Sequence, residues 1–270
     1  MPELPEVETI RRALDPVLAG RTVVAAGAHP SAKFCTAPEA RGRTFAGVRR
    51  RGKYLLADLA PTPLRGPGEL VIHLGMTGQL RPDLPADGAH VRAWWTLDDG
   101  TTLVFRDVRR FGRIAVVDAD DHTTLPTLAA LGPEPFEDAF TPDGLWRALG
   151  RSTARVKTQL LGQRAVAGVG NIYADEALWR ARIRPGTRRV GRERSDRLHA
   201  AVRGALADGL ANGGTTLRDY RTVDGGQGRN QHALACYGRA GRPCLRCGTA
   251  LRRSVVDGRG TTSCPVCQRR

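Results

Sequence analysis

The sequence predicts an α+β protein with several domains. It should have a β-rich N-terminal region that begins with one helix, a helical region, and a small C-terminal metal-binding hairpin. Three observations support this: short strand-like segments fill the first half, helical periodicity fills much of the second, and two Cys-x-x-Cys pairs stand near the end. The 270 residues leave room for two ordinary domains or one large one.

The N-terminal region should form a helix followed by a sandwich or a barrel. An amphipathic helix is predicted over 5–18, where apolar residues recur at helical spacing and Gly20 ends the pattern. Turns rich in Gly, Pro and Asp separate the strand-like stretches that follow. These stretches are 22–26, 54–59, 70–74, 91–97, 102–105 and 114–117. Many short strands without helices between them are typical of all-β packing.

The second half of the chain should be helical, after a linker that begins Leu-Gly-Pro-Glu-Pro at Leu131. Helices are predicted near 143–150, 154–162, 172–183 and 194–211. A polar, Gly-rich segment, 215–235, follows them. We therefore predict domains at 1–130, 143–235 and 236–270, with the linker at 131–142.

Four of the six cysteines have the spacing of a zinc ribbon. They are Cys244, Cys247, Cys264 and Cys267. A hairpin between the two pairs would bring four thiolates into one tetrahedral site, and such a closed site is structural because no position remains for a catalytic water. We predict one structural Zn²⁺ ion. Cys35 and Cys236 are expected to be buried or incidental thiols.

The charge balance indicates a polyanionic partner. The formal net charge is +15, the pI is about 10.8, and arginine supplies nearly all of the basic residues. A high-GC genome would explain the preference for arginine over lysine, but it would not explain the excess of bases over acids. Nucleic acid is the first partner to consider and a membrane surface the second. The sequence has neither a signal-peptide pattern nor an 18-residue apolar run, so we expect a soluble, intracellular protein.

The first residues carry a candidate nucleophile. Removal of Met1 would leave Pro2 with a free secondary amine, and a free α-amino group has a pKa of roughly 7.7–8.0. Glu3, Glu6 and Glu8 follow closely, and a nucleophile beside an acid suits covalent catalysis. If Met1 stays, Pro2 is an amide and this chemistry fails. The alternative is that the prolines and acids only start the helix.

A glycine-rich turn offers a candidate phosphate site. Gly168 and Gly170 allow tight backbone turns, and Asn171 is predicted as the N-cap of the next helix. Exposed amides at that helix start would suit a DNA phosphate. The alternative is a plain hairpin of two helices.

Seven motifs in this order resemble the formamidopyrimidine-DNA glycosylase family over the whole chain. The motifs are Pro-Glu-Leu-Pro-Glu-Val-Glu from Pro2, Arg-Gly-Lys-Tyr-Leu-Leu around Lys53, His-Leu-Gly-Met-Thr-Gly from His73, Arg-Arg-Phe-Gly from Arg109, Leu-Gly-Pro-Glu-Pro from Leu131, Gly-Val-Gly-Asn-Ile-Tyr-Ala-Asp-Glu from Gly168, and Tyr-Gly-Arg from Tyr237. The resemblance implies a β-sandwich with an N-terminal helix, a helix–two-turns–helix domain, a Cys₄ zinc-finger hairpin, and duplex DNA in the cleft between them.

The resemblance also implies a reaction, bifunctional removal of oxidised purines (8-oxoguanine and formamidopyrimidines) from DNA. The enzyme would flip the damaged nucleotide out of the duplex. Pro2 would attack the anomeric carbon and expel the base, and Glu3 would protonate the sugar-ring oxygen. The resulting iminium would permit β-elimination and then δ-elimination of the flanking phosphates. Glu6 would position the N-terminal helix and the flipped nucleotide.

Further residues acquire roles by the same resemblance. Lys53, His73 and Lys157 would contact phosphates around the lesion, and Asn171 and Arg259 would clamp the flanking phosphates. Lys53 and Arg259 also belong to the expected catalytic set. Met76, Arg109 and Phe111 would fill the space left by the flipped base, with Arg109 bonding the orphaned cytosine. Without the resemblance, Lys53, Lys157 and Arg259 would be interpreted as surface charges and His73 as a sheet histidine. Met76 and Phe111 would be interpreted as core side chains.

The sequence departs from the family pattern in two places. The segment 224–232, which corresponds to the loop that caps the flipped base, lacks the family's common aromatic residue. Gly162 replaces a more familiar aspartate. Leu4 favours purine repair over the related endonuclease VIII branch, which acts on oxidised pyrimidines. That branch and a catalytically inactive damaged-DNA binding protein remain the alternatives. We expect a monomer in the bacterial cytoplasm, at the nucleoid when bound to DNA, with no membrane partner.

Overall fold

The computed structural model describes residues 1–269 in two compact units. The first unit comprises Met1–Ala129 together with Asn212–Arg229, and the second comprises Ala130–Ala211 and the chain from Asn230 onward. No helix in the described residues is both long and apolar enough to cross a bilayer. The predicted domain limits stay a prediction.

The first unit contains one long helix and two antiparallel sheets. Helix α1 spans Leu4–Leu18. The strands in chain order are β1 (Val23–Ala28), β2 (Phe45–Arg51), β3 (Tyr54–Leu59), β4 (Gly68–His73), β5 (Gln79–Arg81), β6 (Val91–Leu97), β7 (Thr102–Arg106) and β8 (Arg113–Asp118), followed by the short helix α2 (Pro126–Ala129). One sheet has the order β1-β6-β7-β5 and the other β2-β3-β4-β8.

A single apolar core joins the two sheets and α1. Trp95 and Phe105 from one sheet and Phe45 and Leu70 from the other are all fully buried within it. The Trp95 indole donates to the Ala37 carbonyl at 2.9 Å, so its one polar atom is satisfied. The helix contributes its apolar face, including Ile10. The predicted β-sandwich with an N-terminal helix is therefore confirmed.

Two strands were not predicted, and both lack a clear apolar alternation. β2 ends in three consecutive arginines, and β5 has only three residues. In the folded chain, Arg49 pairs with Asp58 on β3 and Glu69 on β4, at 2.7 and 2.8 Å. Cross-strand ion pairs of this kind keep a charged strand in a sheet, and they are formed by residues distant in sequence.

The second unit is helical and ends in a two-stranded hairpin. Its elements are α3 (Pro142–Gly150), α4 (Val156–Leu161), α5 (Asn171–Arg180), α6 (Arg192–Ala211), β9 (Arg252–Val256) and β10 (Arg259–Ser263). All four predicted helices are confirmed, with ends that shift by up to three residues. Gly209 permits close packing of α6 on α5, since a Cβ there would lie 2.4 Å from the Tyr173 hydroxyl.

Candidate active site and nucleic-acid interface

The N-terminus of the first unit gathers buried polar groups at the start of α1. Pro2 is buried, and Glu3 and Glu6 are 2% and 1% exposed. The Glu3 amide donates to Glu6 Oε2 at 2.7 Å, the reciprocal bond by which an acid in the first turn caps a helix. This hydrogen bond joins residues that are three apart and fixes the backbone at the start of the chain.

Glu6 also holds the beginning of the 215–235 segment. Its Oε1 accepts from the Thr215 amide at 2.6 Å. Gly214 has a φ of +85°, and a Cβ there would lie 2.9 Å from Glu6 Cγ. The Tyr220 hydroxyl donates to the Glu6 carbonyl at 3.4 Å. Glu6 therefore links the N-terminal residues to the segment predicted to cap a flipped base.

Lys53 and His73 lie near the N-terminus within the same unit. Burial, followed by the positive charges of Lys53 and the N-terminal ammonium, lowers the pKa of His73 to about 4. His73 Nδ1 accepts from the Gly75 amide at 3.2 Å, which agrees with a neutral ring. The Tyr54 ring lies 4.7 Å away. His73 is therefore neutral near pH 7, and its proton is on Nε2.

Met76, Arg109 and Phe111 come together as an exposed cluster. Arg109 Nη1 lies 3.7 Å from Met76 Sδ, and its guanidinium carbon lies 4.6 Å from the Phe111 ring centroid. The exposed fractions of Met76 and Phe111 are 38% and 49%. Two large apolar side chains beside an arginine are unusual in solvent, and such side chains are used as wedges between bases.

Asp107 builds the turn that carries this cluster, and no sequence pattern pointed to it. It is fully buried and accepts from the Gly112 amide at 2.7 Å and from the Thr77 hydroxyl. Thr77 in turn accepts from the Arg109 amide at 3.1 Å. Gly75, at a φ of +66°, passes so close that a Cβ would lie 2.4 Å from the Gly112 amide nitrogen.

The 215–235 segment contacts β5 through the Asp219 carbonyl and through Gly225. Gln79 Nε2 donates to the Asp219 carbonyl at 3.1 Å. A Cβ on Gly225 would lie 2.7 Å from the Arg81 guanidinium. The Thr222 hydroxyl, the Gly226 amide and the Arg81 charge together lower the pKa of Asp224. A small turn, 222–226, thus lies against Arg81 in the segment that the resemblance assigns to capping.

In the second unit, Asn171 and Arg259 belong to α5 and β10. Asn171 is the first residue of α5, and the N-cap is Gly170, so the predicted N-cap is wrong. The reason is that the backbone is still extended at Gly170 and already helical at Asn171, whose Nδ2 donates to the Gly260 carbonyl at 3.0 Å. Arg259 is exposed at the start of β10. The hairpin and the helix start are therefore adjacent.

Lys157 is enclosed by the same two elements. Its ammonium donates to Asp175 Oδ1 at 2.6 Å, Thr261 Oγ1 at 2.8 Å and the Gly260 carbonyl at 3.1 Å. The side chains of Lys157 and Asp175 are both 0% exposed. Burial raises the pKa of Asp175, and the Lys157 charge opposes the rise. The predicted contact of Lys157 with a phosphate stays a prediction, because the ammonium is covered in this structure.

The four predicted zinc ligands meet at the base of the β9–β10 hairpin. Their Sγ atoms all lie within 4.8 Å of one another. Tetrahedral Zn–S bonds of about 2.3 Å would separate the sulfurs by about 3.8 Å, so the cluster fits zinc. The Trp179 indole and the Cys267 amide donate to Cys244 and Cys264 sulfurs at 3.4 and 3.3 Å, and such donors orient thiolate ligands. The site is closed and structural.

Glu176 is a second buried anchor that sequence reasoning missed. Its carboxylate accepts from the amides of Ala235, Cys236 and Tyr237 at 2.8–3.0 Å. It thereby fixes the segment that leads into the zinc hairpin. By contrast, Gly162 has ordinary helical φ and room for a Cβ, so nothing in the structure explains its presence.

Comparison with known proteins finds three family models that match successive parts of this chain, and relatives that match nearly all of it. Family models described as the formamidopyrimidine-DNA glycosylase N-terminal domain, its H2TH domain, and the zinc finger found in FPG and IleRS match residues 1–114, 131–221 and 241–270. The formamidopyrimidine-DNA glycosylase of Deinococcus radiodurans is 44% identical over 276 residues, covering 99% of this chain and 97% of the relative.

Solved structures agree with this assignment. The crystal structure of MutM (Fpg) from Thermus thermophilus is 46% identical, with a TM-score of 0.92 over 99% of this chain and 98% of that chain. MutM in complex with DNA that contains carbocyclic 8-oxo-G is 32% identical, with a TM-score of 0.88 over the whole of both chains. This chain therefore belongs to the formamidopyrimidine-DNA glycosylase family.

Proposed function

We propose that this protein is a DNA glycosylase and AP lyase that removes oxidised purines, 8-oxoguanine and formamidopyrimidines, from duplex DNA. The observation that carries the proposal is the buried start of α1, where Pro2 precedes Glu3 and both are held beside the capping segment through Glu6. An N-terminal secondary amine next to an acid supplies a nucleophile and a proton donor without a redox cofactor.

The reaction divides between these two residues. The Pro2 nitrogen attacks the anomeric carbon of the flipped nucleotide, a C–N bond forms, and the bond to the base breaks. The base leaves with the bonding electron pair and takes up one proton, which balances the proton that the Pro2 nitrogen loses. Glu3 gives its proton to the sugar-ring oxygen as the ring opens, which leaves an iminium on Pro2. The iminium acidifies the adjacent sugar proton, so the 3′ phosphate leaves by β-elimination and the 5′ phosphate by δ-elimination.

The remaining site residues would bind and shape the DNA. In the first unit, Lys53 and neutral His73 would contact phosphates near the lesion. Met76 and Phe111 would wedge into the base stack, and Arg109 would bond the unpaired cytosine. These roles agree with a buried polar group near the N-terminus and an exposed apolar cluster with one guanidinium.

In the second unit, Asn171 and Arg259 would hold the flanking phosphates. Zinc, when bound, contributes only structure there, because it fixes the hairpin that bears Arg259. Lys157 would contact a phosphate near the lesion, and in this structure its ammonium also orders the Gly260 carbonyl to which Asn171 donates. Chromosomal DNA as substrate would place the enzyme at the bacterial nucleoid, in the cytoplasm.

Borohydride trapping tests this proposal. The purified protein, with Met1 removal checked by N-terminal mass analysis, is mixed with labelled duplexes containing 8-oxoguanine opposite cytosine or an oxidised pyrimidine. We expect a covalent adduct at Pro2 that forms faster with 8-oxoguanine. Faster trapping on the pyrimidine lesion would favour the endonuclease VIII-like alternative. Binding without any adduct by the processed chain would mean an inactive damaged-DNA binding protein.

A further inference from the structure

A groove on the second unit is lined by arginines that the proposed reaction does not use. It lies between the segment 184–189, which precedes α6, and the outer strand β9 of the hairpin. Ser263 at the end of β10 also lines it. The arginines are Arg155, Arg184, Arg188, Arg189 and Arg194.

These arginines are largely unneutralised. Among the described residues that line the groove there is no Asp or Glu. Arg155 pairs with Asp257 at 2.9 Å, and that is the one ion pair the five arginines make in the structure of residues 1–269. Arg188 donates to the Thr153 carbonyl at 2.8 Å. A carbonyl carries no net charge, so the groove keeps a strong positive potential.

Arg184 and Arg189 are the clearest unused groups. Both are exposed, and neither guanidinium has a hydrogen-bond or ion-pair partner within residues 1–269. Guanidinium forks match phosphate oxygens in a bidentate manner and are only weakly hydrated. Several like charges along an open groove repel one another until an anion binds, and a chain of phosphates neutralises several of them together.

We propose that this groove binds the sugar–phosphate backbone of duplex DNA, at phosphates other than those next to the lesion. Two features point to DNA. The groove shares the β9–β10 hairpin with Arg259, and Asp257, which pairs with Arg155, lies in the turn two residues before Arg259. The backbone could come from the flank of the lesion duplex or from a second duplex.

The test uses undamaged DNA, so that its outcome does not depend on excision or on the proposed reaction. The double variant Arg184→Ala/Arg189→Ala is compared with Arg41→Ala/Arg65→Ala, which removes the same charge from exposed positions of the first unit. Arg184→Lys/Arg189→Lys keeps the charge. Zinc content and circular dichroism check that each variant folds. Affinity for duplexes of about one and about four helical turns is measured over a salt series.

For a duplex of four turns, we expect the alanine pair to bind roughly tenfold more weakly near 0.1 M salt, with a log–log salt slope smaller by about 1.8 for two lost phosphates. The lysine pair should restore most of the slope. A loss confined to the long duplex at 1:1 stoichiometry identifies the flank of one duplex. A loss only in capture of a second, differently labelled duplex identifies a second molecule.

Equal effects of the groove pair and the control pair, at every duplex length, would overturn the proposal, because the loss would then reflect net charge alone. An unchanged salt slope in the alanine pair would overturn the proposal as well, because the two arginines would then contact no DNA phosphate. Excision of 8-oxoguanine from the one-turn duplex should be unchanged in the groove variant. If the wild-type chain fails to excise, the proposed function fails while the binding comparison keeps its meaning.

Discussion

The two units hold their candidate DNA-contacting residues by different means. In the first unit, Glu6 fixes the start of the chain through backbone amides, one of them within its own helix turn. In the second unit, Asn171 meets the β10 strand above a buried Lys157–Asp175 pair, and a closed thiolate cluster holds the hairpin. The first arrangement is a capped helix start that bears the proposed nucleophile and proton donor. The second is a hairpin held by a thiolate cluster and buried polar contacts, so the two should respond differently to the same perturbation.

The largest effect should follow from the first unit. Pro2→Gly and Glu3→Gln are each expected to lower single-turnover excision of 8-oxoguanine by on the order of 10³-fold or more. The first replaces the ring-held secondary amine by a primary amine, and the second removes the proton donor. Affinity for the duplex should change little, since many phosphate contacts share it. Excision kinetics and anisotropy titrations on the same preparations measure the two effects. Near-normal excision by processed Pro2→Gly would refute the Pro2 assignment.

Loss of zinc should damage the second unit alone. Chelation, or Cys244→Ser, is expected to abolish DNA binding and to unfold the hairpin, since zinc contributes about 10–16 kcal/mol in small zinc modules. Hydrogen exchange should show lost protection in β9 and β10 and unchanged protection in β3 and β4. Cys35→Ser changes an exposed cysteine outside the cluster and is the matched control. Full DNA binding and excision by a preparation in which elemental analysis finds no zinc would contradict the structural role of zinc.

The buried Lys157–Asp175 pair should contribute more to the stability of the second unit than Glu6 contributes to the first. Lys157→Met leaves Asp175 as an uncompensated buried charge and should cost about 3–5 kcal/mol. Lys157→Met combined with Asp175→Asn should restore most of the loss, because the amide oxygen can still accept from Thr262. Glu6→Gln in the first unit should cost less, about 1–3 kcal/mol, since one amide loses its acceptor. Hydrogen exchange resolves each unit, because the two need not unfold together.

Two arginines separate base contact from phosphate contact. Arg109→Ala should reduce the preference for cytosine opposite 8-oxoguanine by about 1–3 kcal/mol, as expected for a lost base-edge contact. Arg259→Ala should weaken binding to all four pairings alike and reduce the salt slope by about one unit. Titration against each opposite base at several salt concentrations measures both. An equal loss for all four pairings in Arg109→Ala would assign it to the phosphates.

Sequence reasoning predicted what local patterns encode. Periodicity indicated the helices and most strands, and Cys-x-x-Cys spacing indicated the zinc cluster. It missed β2, in which Arg49 pairs with Asp58 and Glu69 from other strands and Arg50 pairs with Glu8 from α1. It also missed the carboxylates that fix the site from below, Asp107 and Glu176. Their role depends on backbone amides brought close by the fold, and no spacing rule reports such contacts.

The placement of Lys157 shows the same limit from the other side. The family resemblance predicts a phosphate contact for its positive charge, and that contact stays a prediction. In the fold its ammonium donates to Asp175, Thr261 and the Gly260 carbonyl. Charge is visible in a sequence and burial is not, because burial depends on β10, which lies far along the chain from Lys157. The exposed Arg184 and Arg189, by contrast, carried no motif at all.

The smallest expected effect concerns His73 and the pH dependence of the first unit. Its pKa is about 4 in the folded chain, below roughly 6.5 in an unfolded one. The unfolded chain therefore takes up the proton first, so this contribution to stability is complete above a pH of roughly 6.5 and is lost as the pH falls toward about 4. At a pH of about 6 the loss should be under about 1 kcal/mol.

In a plot of unfolding free energy against pH, His73→Gln should flatten the acid limb, the fall below a pH of roughly 6.5, because glutamine has no proton to take up. Hydrogen exchange of β4 in urea measures this free energy. His232→Gln, at an exposed histidine of the second unit, is the control and should leave the β4 limb unchanged. If His73→Gln also leaves the limb unchanged, the pKa of His73 does not differ between the folded and unfolded chains. The ring could then become a cation near a pH of roughly 6.5, and the first unit would lack the neutral donor that burial gives it.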